Sequence, residues 1–352
     1  MYYLYLDAFL LACPKSSTNI QEFEEYLNSL IKWGEEIDNI RDAGLASIYL
    51  SAQTPEALAK SYGYPDWDEL DKIIKNLDMQ DVVQPHDIFV LIDGLLRLPY
   101  IEDKLSINEI LLDNFQCEPS SHLDERDELF VEIHHRLAAL IFLMCHFESV
   151  LEKNQILITR HNDDKLRQIS ISGEIIDCEF CTDSRSIQYY PYPISILLNY
   201  FIKPESLYSY FDALDIWVSA TSDELYLRAI NIYVIQINYS LQKPKSKLEM
   251  TSWSFGNRFI KTAKDNGFLN DQAKAKMLLR SCAETILKEN LSDTHWLRTG
   301  KGANNPQRKR EKDKALAWRR DIDREYHLHY WETAKGVEFA SVVVHNDMKI
   351  PE

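Results

Sequence analysis

The side chains best suited to acid–base chemistry lie near the C-terminus, between Trp318 and Asp347. This stretch holds three histidines, His327, His329 and His345, among several arginines. An imidazole gains and loses a proton near neutral pH, whereas a guanidinium stays charged and can pair with two phosphate oxygens. These groups suit RNA cleavage, in which a 2′-hydroxyl loses a proton, a 5′-oxygen gains one and charge builds up on the phosphate.

The spacing of the histidines predicts two neighbouring strands. His327 and His329 are two residues apart, so in a strand they share one face of the sheet. A turn at Lys335-Gly336 leads into a second β-rich segment, from Val337 to His345. If this segment pairs back on the first strand, it brings His345 to the same face or to its edge.

Basic residues are concentrated in the same part of the chain. Residues 241–352 carry 22 Lys and Arg against 15 Asp and Glu, whereas residues 1–240 carry 17 against 40, for a net charge of −16 overall. Lys and Arg release counterions when they neutralise phosphates, so the basic part suits RNA. The acidic part would repel RNA or cover the basic part of the same chain. We expect RNA contacts from six residues: Lys301, Arg308, Lys309, Arg310, Arg319 and Arg324.

Residues 1–241 are predicted to form an acidic α+β domain, mainly helical with a small antiparallel sheet. Helical periodicity recurs through residues 20–80, and Asp127 to Leu151 is predicted to be a central core helix. His134 and His135 on that helix point to different faces, as a partner-bonded core histidine and its surface neighbour. From Gln155 the apolar period becomes two, as in strands, and helices are expected again at 194–202, 207–218 and 223–241. No motif in this domain indicates a function.

The segment 242–247, QKPKSK, is short, basic and proline-containing, and it is predicted to be a linker. Residues 248–352 then form a second, basic domain. Its pattern gives a strand at 249–254, helices at 255–265 and 271–290, a basic loop, and three strand-like pieces. This order predicts two helices packed on an antiparallel sheet.

The six cysteines are scattered, which is not the pattern of a disulfide framework and fits a reducing compartment. Cys178-x-x-Cys181 has no second pair at zinc-finger spacing, so no metal or other cofactor is predicted. The apolar N-terminus lacks a basic region and is interrupted by Asp7, so it is predicted to be a buried strand that leads into a helix and not a signal peptide. The apolar run from Leu137 to Cys145 is too short to span a membrane. We therefore expect a soluble, cytoplasmic protein without a membrane partner.

The second domain resembles the C-terminal half of RelE/YoeB-like toxins, the ribosome-dependent mRNA interferases of toxin–antitoxin systems. The resemblance covers about 100 of 352 residues and includes the family's β-α-α-β-β-β order. Its motifs are a basic Gly300-Lys301-Gly302 loop, Trp318-Arg319-Arg320 followed by Ile322, and the run from Glu325 to Tyr330. A strand that ends in His345, fifteen residues after Tyr330, completes the pattern.

The resemblance implies a metal-independent endoribonuclease without a cofactor, which acts on RNA at the ribosome. His345 matches the family's acid/base histidine, Arg320 matches an arginine that contacts the phosphate, and Glu311 is the nearest candidate for the general base. His327 stands where the family has its catalytic arginine, and it cannot hold a permanent charge as arginine does. On this hypothesis the acidic N-terminal domain regulates the toxin-like domain, as an antitoxin would.

Two other interpretations of the same residues remain open. His327-x-His329 and His345-x-Asp347 have the form of a metal site on adjacent strands. Alternatively, the histidines are structural, and the chain is a non-enzymatic adaptor or interaction subunit of a multi-protein assembly such as a bacterial anti-phage defence system.

Overall fold

A computed structural model describes residues 2–15, 18–42, 44–61, 63–160, 167–182, 185–241, 252–300 and 304–352. The chain forms two compact units, Met1–Leu207 and Tyr208–Glu352. Each combines helices with a sheet of mixed strand direction, which confirms the α+β class at this level. The linker predicted at 242–247 lies outside the described residues, and the division between the compact units falls earlier in the chain.

The N-terminal unit begins with a buried strand and a short helix that Asp7 caps, as its sequence pattern predicted. Two 3₁₀ turns, at Ser120–Leu123 and Glu152–Asn154, flank the longest apolar helix. In chain order, its described elements are β1 (Tyr2–Leu6), α1 (Ala8–Leu11), α2 (Ile20–Asp42), β2 (Ala46–Leu50), α3 (Thr54–Lys60), α4 (Trp67–Asn76), α5 (Pro85–Leu95), α6 (Ile101–Leu105), β3 (Ile107–Glu118), α7 (Glu128–Glu148), β4 (Gln155–Ile158), β5 (Gln168–Phe180), β6 (Tyr192–Phe201) and α8 (Pro204–Tyr210).

The described strands of this unit form one six-stranded sheet in the order β2-β1-β4-β6-β5-β3. The first four strands are parallel and the last two pairings are antiparallel. The expectation of a small antiparallel sheet therefore holds for only half of it. The helix α2 between β1 and β2 is long enough to return the chain to the other end of the sheet, so those strands pair in parallel.

Strand β6 occupies the segment that was expected to be a helix at 194–202. Ile194, Ile196 and Leu198 face the core, while Ser195 and Leu197 are exposed. This alternation is the period of a strand, and its apolar exposed member hid it in the sequence.

The core of the N-terminal unit lies between helix α7 and strands β3, β5 and β6. The helix occupies the predicted region, from Glu128 to Glu148. Among the described residues it is the one helix long and apolar enough to cross a membrane, and 61% of its most apolar window is buried. Its position in the core of the unit accounts for that composition.

The C-terminal unit places its helices on one face of a second sheet. A 3₁₀ turn at Leu291–Asp293 precedes its edge strand. Its described elements are α9 (Ala213–Ser219), α10 (Asp223–Ser240), β7 (Trp253–Phe255), α11 (Phe259–Asp265), α12 (Gln272–Leu287), β8 (Thr294–Trp296), β9 (Leu316–Asp321), β10 (Tyr326–Thr333) and β11 (Gly336–Val344).

The strand order of this second sheet is β7-β11-β10-β9-β8, with β7 parallel to β11 and the other described pairings antiparallel. The predicted strands and the two predicted helices are present in the described residues. Helices α9 and α10, which the sequence analysis assigned to the first domain, pack into the same core as α12. Their apolar faces are thus covered within the C-terminal unit.

A second, smaller core lies on the other face of this sheet. Trp331 and Ala340 pack there against Ile350, and the Trp331 indole Nε1 donates a hydrogen bond to the Pro351 carbonyl at 2.7 Å. The residues that follow β11 therefore cover part of the face that the helices leave open.

Candidate histidine site

The histidines of the C-terminal unit lie on the sheet face that carries no helices. Leu328 and Tyr330 belong to the core beneath the helices, so the alternate residues His327 and His329 point the opposite way. We call this surface the histidine face. The predicted common face of His327 and His329 is confirmed by their ring centroids, which lie 6.4 Å apart.

Strand register aligns further polar residues in two rows across the histidine face. In the first row His295, Arg319, His329 and Ser341 lie opposite one another on β8, β9, β10 and β11. In the second row Asp321 on β9 lies opposite His327 on β10. Cross-strand neighbours are close enough for their side chains to interact, so the sheet itself assembles this group.

His327 is at the centre of the arrangement. Its side chain is fully buried, and its Nε2 lies 3.0 Å from Asp321 Oδ1, at an angle that is not that of a hydrogen bond. On its other side the His345 ring is in contact, with centroids 4.5 Å apart. His345 is exposed, and its backbone N–H donates to the Glu325 carbonyl at 2.7 Å. The exposed imidazole therefore contacts a buried one that lies beside a carboxylate, and neither nitrogen of His327 has a hydrogen-bond partner among the described residues.

Burial lowers the pKa of His327, and the nearby charges of Arg319, His345 and His295 lower it further, while Asp321 acts in the opposite direction. His327 is therefore neutral at pH 7. A proton that reaches it would be stabilised by the nearby Asp321 carboxylate.

His329 has a structural role in this arrangement. Burial lowers its pKa to about 4, so it is neutral near pH 7. Its Nδ1 lies 3.1 Å from the Lys349 carbonyl, which can only accept, so Nδ1 carries the proton. His329 holds the C-terminal segment on the sheet and does not face solvent.

Of the two neighbouring arginines on β9, only Arg319 lies with the histidines. Its Nε is buried and has no hydrogen-bond partner among the described residues. Arg320 lies on the helix side, where its Nη2 donates to Glu284 at 2.8 Å and to the Glu289 and Asn290 carbonyls. The structure therefore does not bring Arg320, predicted to contact the phosphate, together with His345.

The other predicted site residues are distributed differently. Arg310 is buried, bonded to Asp313 and Glu338, and stacked on the Trp331 ring at 5.0 Å, so its charge is used inside the unit. Glu311 is exposed in a turn, 3.9 Å from Lys314, and makes no contact with the histidines in the described structure. Arg308 is half-buried, while Lys309 and Arg324 are exposed. Lys301 and most of its glycine-containing loop lie outside the described residues.

Two members of the group, His295 and Asp321, were missed by sequence reasoning. His295 lies on the short edge strand β8, in a segment that reads as the start of a basic loop. Asp321 had a usable signal, because Arg319-x-Asp321 alternates on β9 as His327-x-His329 does on β10.

Metal-ligand geometry occurs elsewhere in the chain. Among the described residues, Asp7, His122 and His134 form the set whose ligand atoms lie within 4.8 Å of one another, and the histidine face has no such set. The Arg126 guanidinium already lies among them, with its Nη1 2.8 Å from Asp7 Oδ2 and its Nη2 3.3 Å from His122 Nε2. A fixed cation at that position fits a buried structural ion pair better than a metal site.

This buried network also explains His134. Its Nδ1 lies 3.0 Å from Asp7 Oδ2, so it is a partner-bonded core histidine, as predicted, and the partly buried His135 lies beside the Phe115 ring. Burial by itself raises the pKa of Asp7, but Arg126 and His134 hold it well below its ordinary value. The network joins the ends of β1 and β4 to helix α7.

Comparisons with protein-family models, with curated proteins and with solved structures found no match for this chain.

Proposed function

We propose that the C-terminal unit binds RNA on the histidine face and cleaves it without a metal ion, as a toxin-like endoribonuclease of the RelE/YoeB type. The proposal is carried by one observation. The exposed His345 ring contacts His327, which contacts Asp321, and Arg319, whose Nε has no partner in the described part of the chain, lies in the adjacent row. This combination provides a proton acceptor, a way to stabilise the proton, and a positive charge for a phosphate.

In the proposed reaction, His345 takes the proton of a 2′-hydroxyl while that oxygen attacks the adjacent phosphorus. The bond from phosphorus to the 5′-oxygen breaks, which gives a 2′,3′-cyclic phosphate and a 5′-hydroxyl end. Because His345 and His327 are in contact, they act from one side of the phosphate. The leaving 5′-oxygen would receive its proton from His295, which is about half exposed and 3.9 Å from Asp321, or from water.

In this proposal Arg319 takes the phosphate-binding role that the resemblance to the toxin family implied for Arg320. It lies directly opposite both His295 and His329 on its neighbouring strands. The exposed Lys309 and Arg324 and the half-buried Arg308 would extend the contact along the RNA backbone.

The order of elements also supports the resemblance. From Trp253 to Val344 the described elements run β7-α11-α12, then β8 to β11, which is the family's order with one additional short strand. His327, in place of the family's catalytic arginine, departs from that pattern. The proposed chemistry accordingly uses it as a proton carrier and not as a fixed charge.

Regulation by the N-terminal unit is the second part of the proposal. Strands β3, β5 and β6 contain no Lys, Arg or His. Their surface opposite to α7 presents six acidic residues and lies free of ion pairs within the described part of the chain. We call it the acidic sheet face; its acids are Glu109, Asp113, Glu118, Glu174, Asp177 and Glu179.

Two cross-strand pairs of like charge raise the negative charge density of this surface. Glu109 lies opposite Glu179, and Asp113 lies opposite Glu174. Such pairs cost stability unless a cationic partner neutralises them. Carboxylates compete with phosphates for arginine, so this surface is suited to restrain RNA binding.

The same acidic surface also favours the rival function, a non-enzymatic adaptor that binds a basic protein in a defence assembly. The free cysteines, including the exposed Cys181, favour a cytoplasmic site of action under either function.

The test uses the purified full chain with single-stranded RNA alone in the presence of EDTA, and with ribosomes in a buffer that contains Mg²⁺ and no EDTA. The proposal predicts 2′,3′-cyclic phosphate ends, and no cleavage at a nucleotide that carries a 2′-deoxy substitution. RNA binding without cleavage under both conditions would contradict the enzymatic part. Failure to bind RNA at all would favour the adaptor.

A further inference from the structure

A large cavity opens in the N-terminal unit at the carboxyl ends of its parallel strands. Its volume is about 1190 Å³, and all of its lining residues belong to this unit. Phe9 follows β1, Arg160 follows β4 and Ile202 follows β6 in the chain, and all three line it.

The position of this cavity in the sheet is one at which ligands bind. Strand β1 lies between β2 and β4; the next strand after β1 is β2, whereas β5, the next strand after β4, lies toward the other edge of the sheet. Where the strand order reverses in this way, a crevice forms beyond the carboxyl ends of the parallel strands. Phe9 and Arg160 follow these two strands, β1 and β4, in the chain.

Arg160 is the unusual member of the lining. Its guanidinium carbon lies 4.6 Å from the centre of the Phe9 ring and 5.2 Å from that of Tyr26, and its Nη1 donates to the Ala12 carbonyl at 3.1 Å. Burial lowers the pKa of Arg160, because the charged form loses water. Within the described part of the chain no carboxylate forms an ion pair with it. The charge of the exposed Glu125 acts on Arg160 without forming an ion pair, so a partly dehydrated guanidinium here still gains from an anion that contacts it directly.

The remaining charged lining residues are placed differently. Lys15 pairs with Asp127 at 3.0 Å and Lys32 with Glu205 at 3.3 Å, so these two cations are already neutralised, and the third lysine of the lining, Lys203, is exposed. The other acidic lining residues are exposed, and their negative charges would repel a polyanion such as RNA. These residues are Glu22, Glu25, Glu69 and Glu125. The surroundings therefore admit a small ligand with little charge more readily than a nucleic acid.

Part of the wall is apolar. Phe130, Ile73 and Trp33 line the cavity beside Phe9, and each of them is buried. Such a surface gains free energy when it covers the apolar body of a ligand.

We propose that this cavity binds a small organic anion, whose phosphate or carboxylate group pairs with Arg160 and whose planar or apolar body packs on Phe9, Phe130 and Ile73. The guanidinium is held by two aromatic rings and one carbonyl, which leaves its other N–H groups to form a two-pronged contact with the anion. This site is separate from the histidine face, and it does not depend on the proposed RNA cleavage.

Calorimetry on the full chain tests the proposal with matched probes. Phenyl phosphate and benzoate carry the anion, whereas phenol and benzyl alcohol offer a similar ring without it. We expect the charged probes to bind at least about tenfold more tightly, as a charge-assisted contact provides. Equal affinity for charged and uncharged probes, or no binding of any of the four at millimolar concentration, would overturn the proposal.

Two variants locate the binding. Arg160→Met should reduce the affinity for phenyl phosphate to that for phenol, while Arg41→Met, at an exposed arginine outside the cavity, should leave both unchanged. Ser29→Phe, on the α2 wall and away from Arg160, should abolish binding of all four probes because it fills the space.

Loss of phenyl phosphate binding in Arg160→Met supports the proposal only if this variant is folded. If circular dichroism shows that Arg160→Met is unfolded, Arg160→Lys replaces it, since lysine keeps the charge but cannot pair with two oxygens at once. We then expect a severalfold loss for phenyl phosphate and none for phenol. Unchanged affinity for phenyl phosphate in Arg160→Lys and in Ser29→Phe would rule the site out.

Discussion

Two consecutive arginines on strand β9 have opposite surroundings. Arg320 is buried under the helices in a network with Glu284 and two backbone carbonyls, whereas Arg319 lies among the histidines on the other face. Alternation along a strand separates them, so one stabilises the fold and the other is placed to bind an anion.

This difference gives a prediction for the two positions. Arg320→Met should lower the free energy of unfolding by about 1–3 kcal/mol, because the Glu284 carboxylate loses a buried charged donor and keeps only Arg280 and Asn290. Arg319→Met should leave stability nearly unchanged but weaken RNA binding about tenfold or more, by loss of a charge-assisted phosphate contact. Urea unfolding and a fluorescence RNA-binding titration measure the two effects. A reversed pattern would show that the faces are wrongly assigned.

The buried network around Asp7 predicts a dependence of stability on pH. The folded protein holds the pKa of Asp7 below its ordinary value of 3.8 and, mainly through burial, that of His134 below 6.5. The unfolded chain therefore binds these protons first as pH falls. Stability should decrease as pH falls through 6.5 and decrease again below 3.8.

Urea unfolding between pH 7 and pH 3 measures this effect, with Asp7→Asn as the comparison. Asp7→Asn should be less stable than the native protein at pH 7. Its stability should not show the further decrease below pH 3.8 that Asp7 causes in the native protein. If native protein and variant show the same pH dependence, Asp7 does not have the assigned role.

The sequence predicted the shared face of His327 and His329, because a spacing of two determines it. It could not choose between Arg319 and Arg320, since alternation shows that they differ but not which one faces the helices. That choice depends on the register between β9 and β10, which places Arg320 opposite Leu328.

At the scale of elements, segments with a regular apolar period were predicted well, whereas the irregular strands β3 and β6 and the short strand β8 were not. Helix α7 and strands β10 and β11 are close to their expected positions. Strand β6 was expected to be a helix because Leu197 interrupts its polar face, and an apolar run of this length fits either structure. The three-residue strand β8 forms only by pairing with β9, so no local pattern indicates it.

The turn between β10 and β11 provides a prediction about the fold. Gly336 has a φ of +135°, and a Cβ there would lie 1.6 Å from the Ser252 carbonyl oxygen. Gly336→Ala should therefore destabilise the C-terminal unit or displace β7. Gly94→Ala is a matched control, because no atom lies within 4 Å of its Cβ and alanine favours a helix by about 0.5–1 kcal/mol. Thermal unfolding of both variants measures the contrast, and equal effects would contradict the described turn.

At the scale of the whole molecule, charge is divided between the compact units. Residues 1–207 carry 16 Lys and Arg against 36 Asp and Glu, whereas residues 208–352 carry 23 against 19. The sequence already predicted this division. It could not predict that six acids lie on one open sheet surface, because that depends on the pairing of β3 with β5.

If the acidic sheet face restrains RNA binding, reversing part of its charge should relieve the restraint. Glu109→Lys combined with Glu179→Lys should strengthen RNA binding by the full chain, and the gain should shrink between 50 and 200 mM salt, since screening weakens interactions of exposed charges. Glu24→Lys with Glu35→Lys, on the exposed side of α2, controls for net charge. An equal gain in the control would assign the effect to total charge alone.

The most direct test of the proposed chemistry is single-turnover RNA cleavage by the full chain and by two variants, His345→Ala and His86→Ala. Both histidines are exposed, so neither change should alter thermal unfolding. His345→Ala should lower the cleavage rate by about 10²–10⁴-fold, the usual contribution of a positioned general base, while His86→Ala should change it less than about twofold. Equal rates in the three proteins, or no cleavage by the native chain with or without ribosomes, would contradict the proposed function.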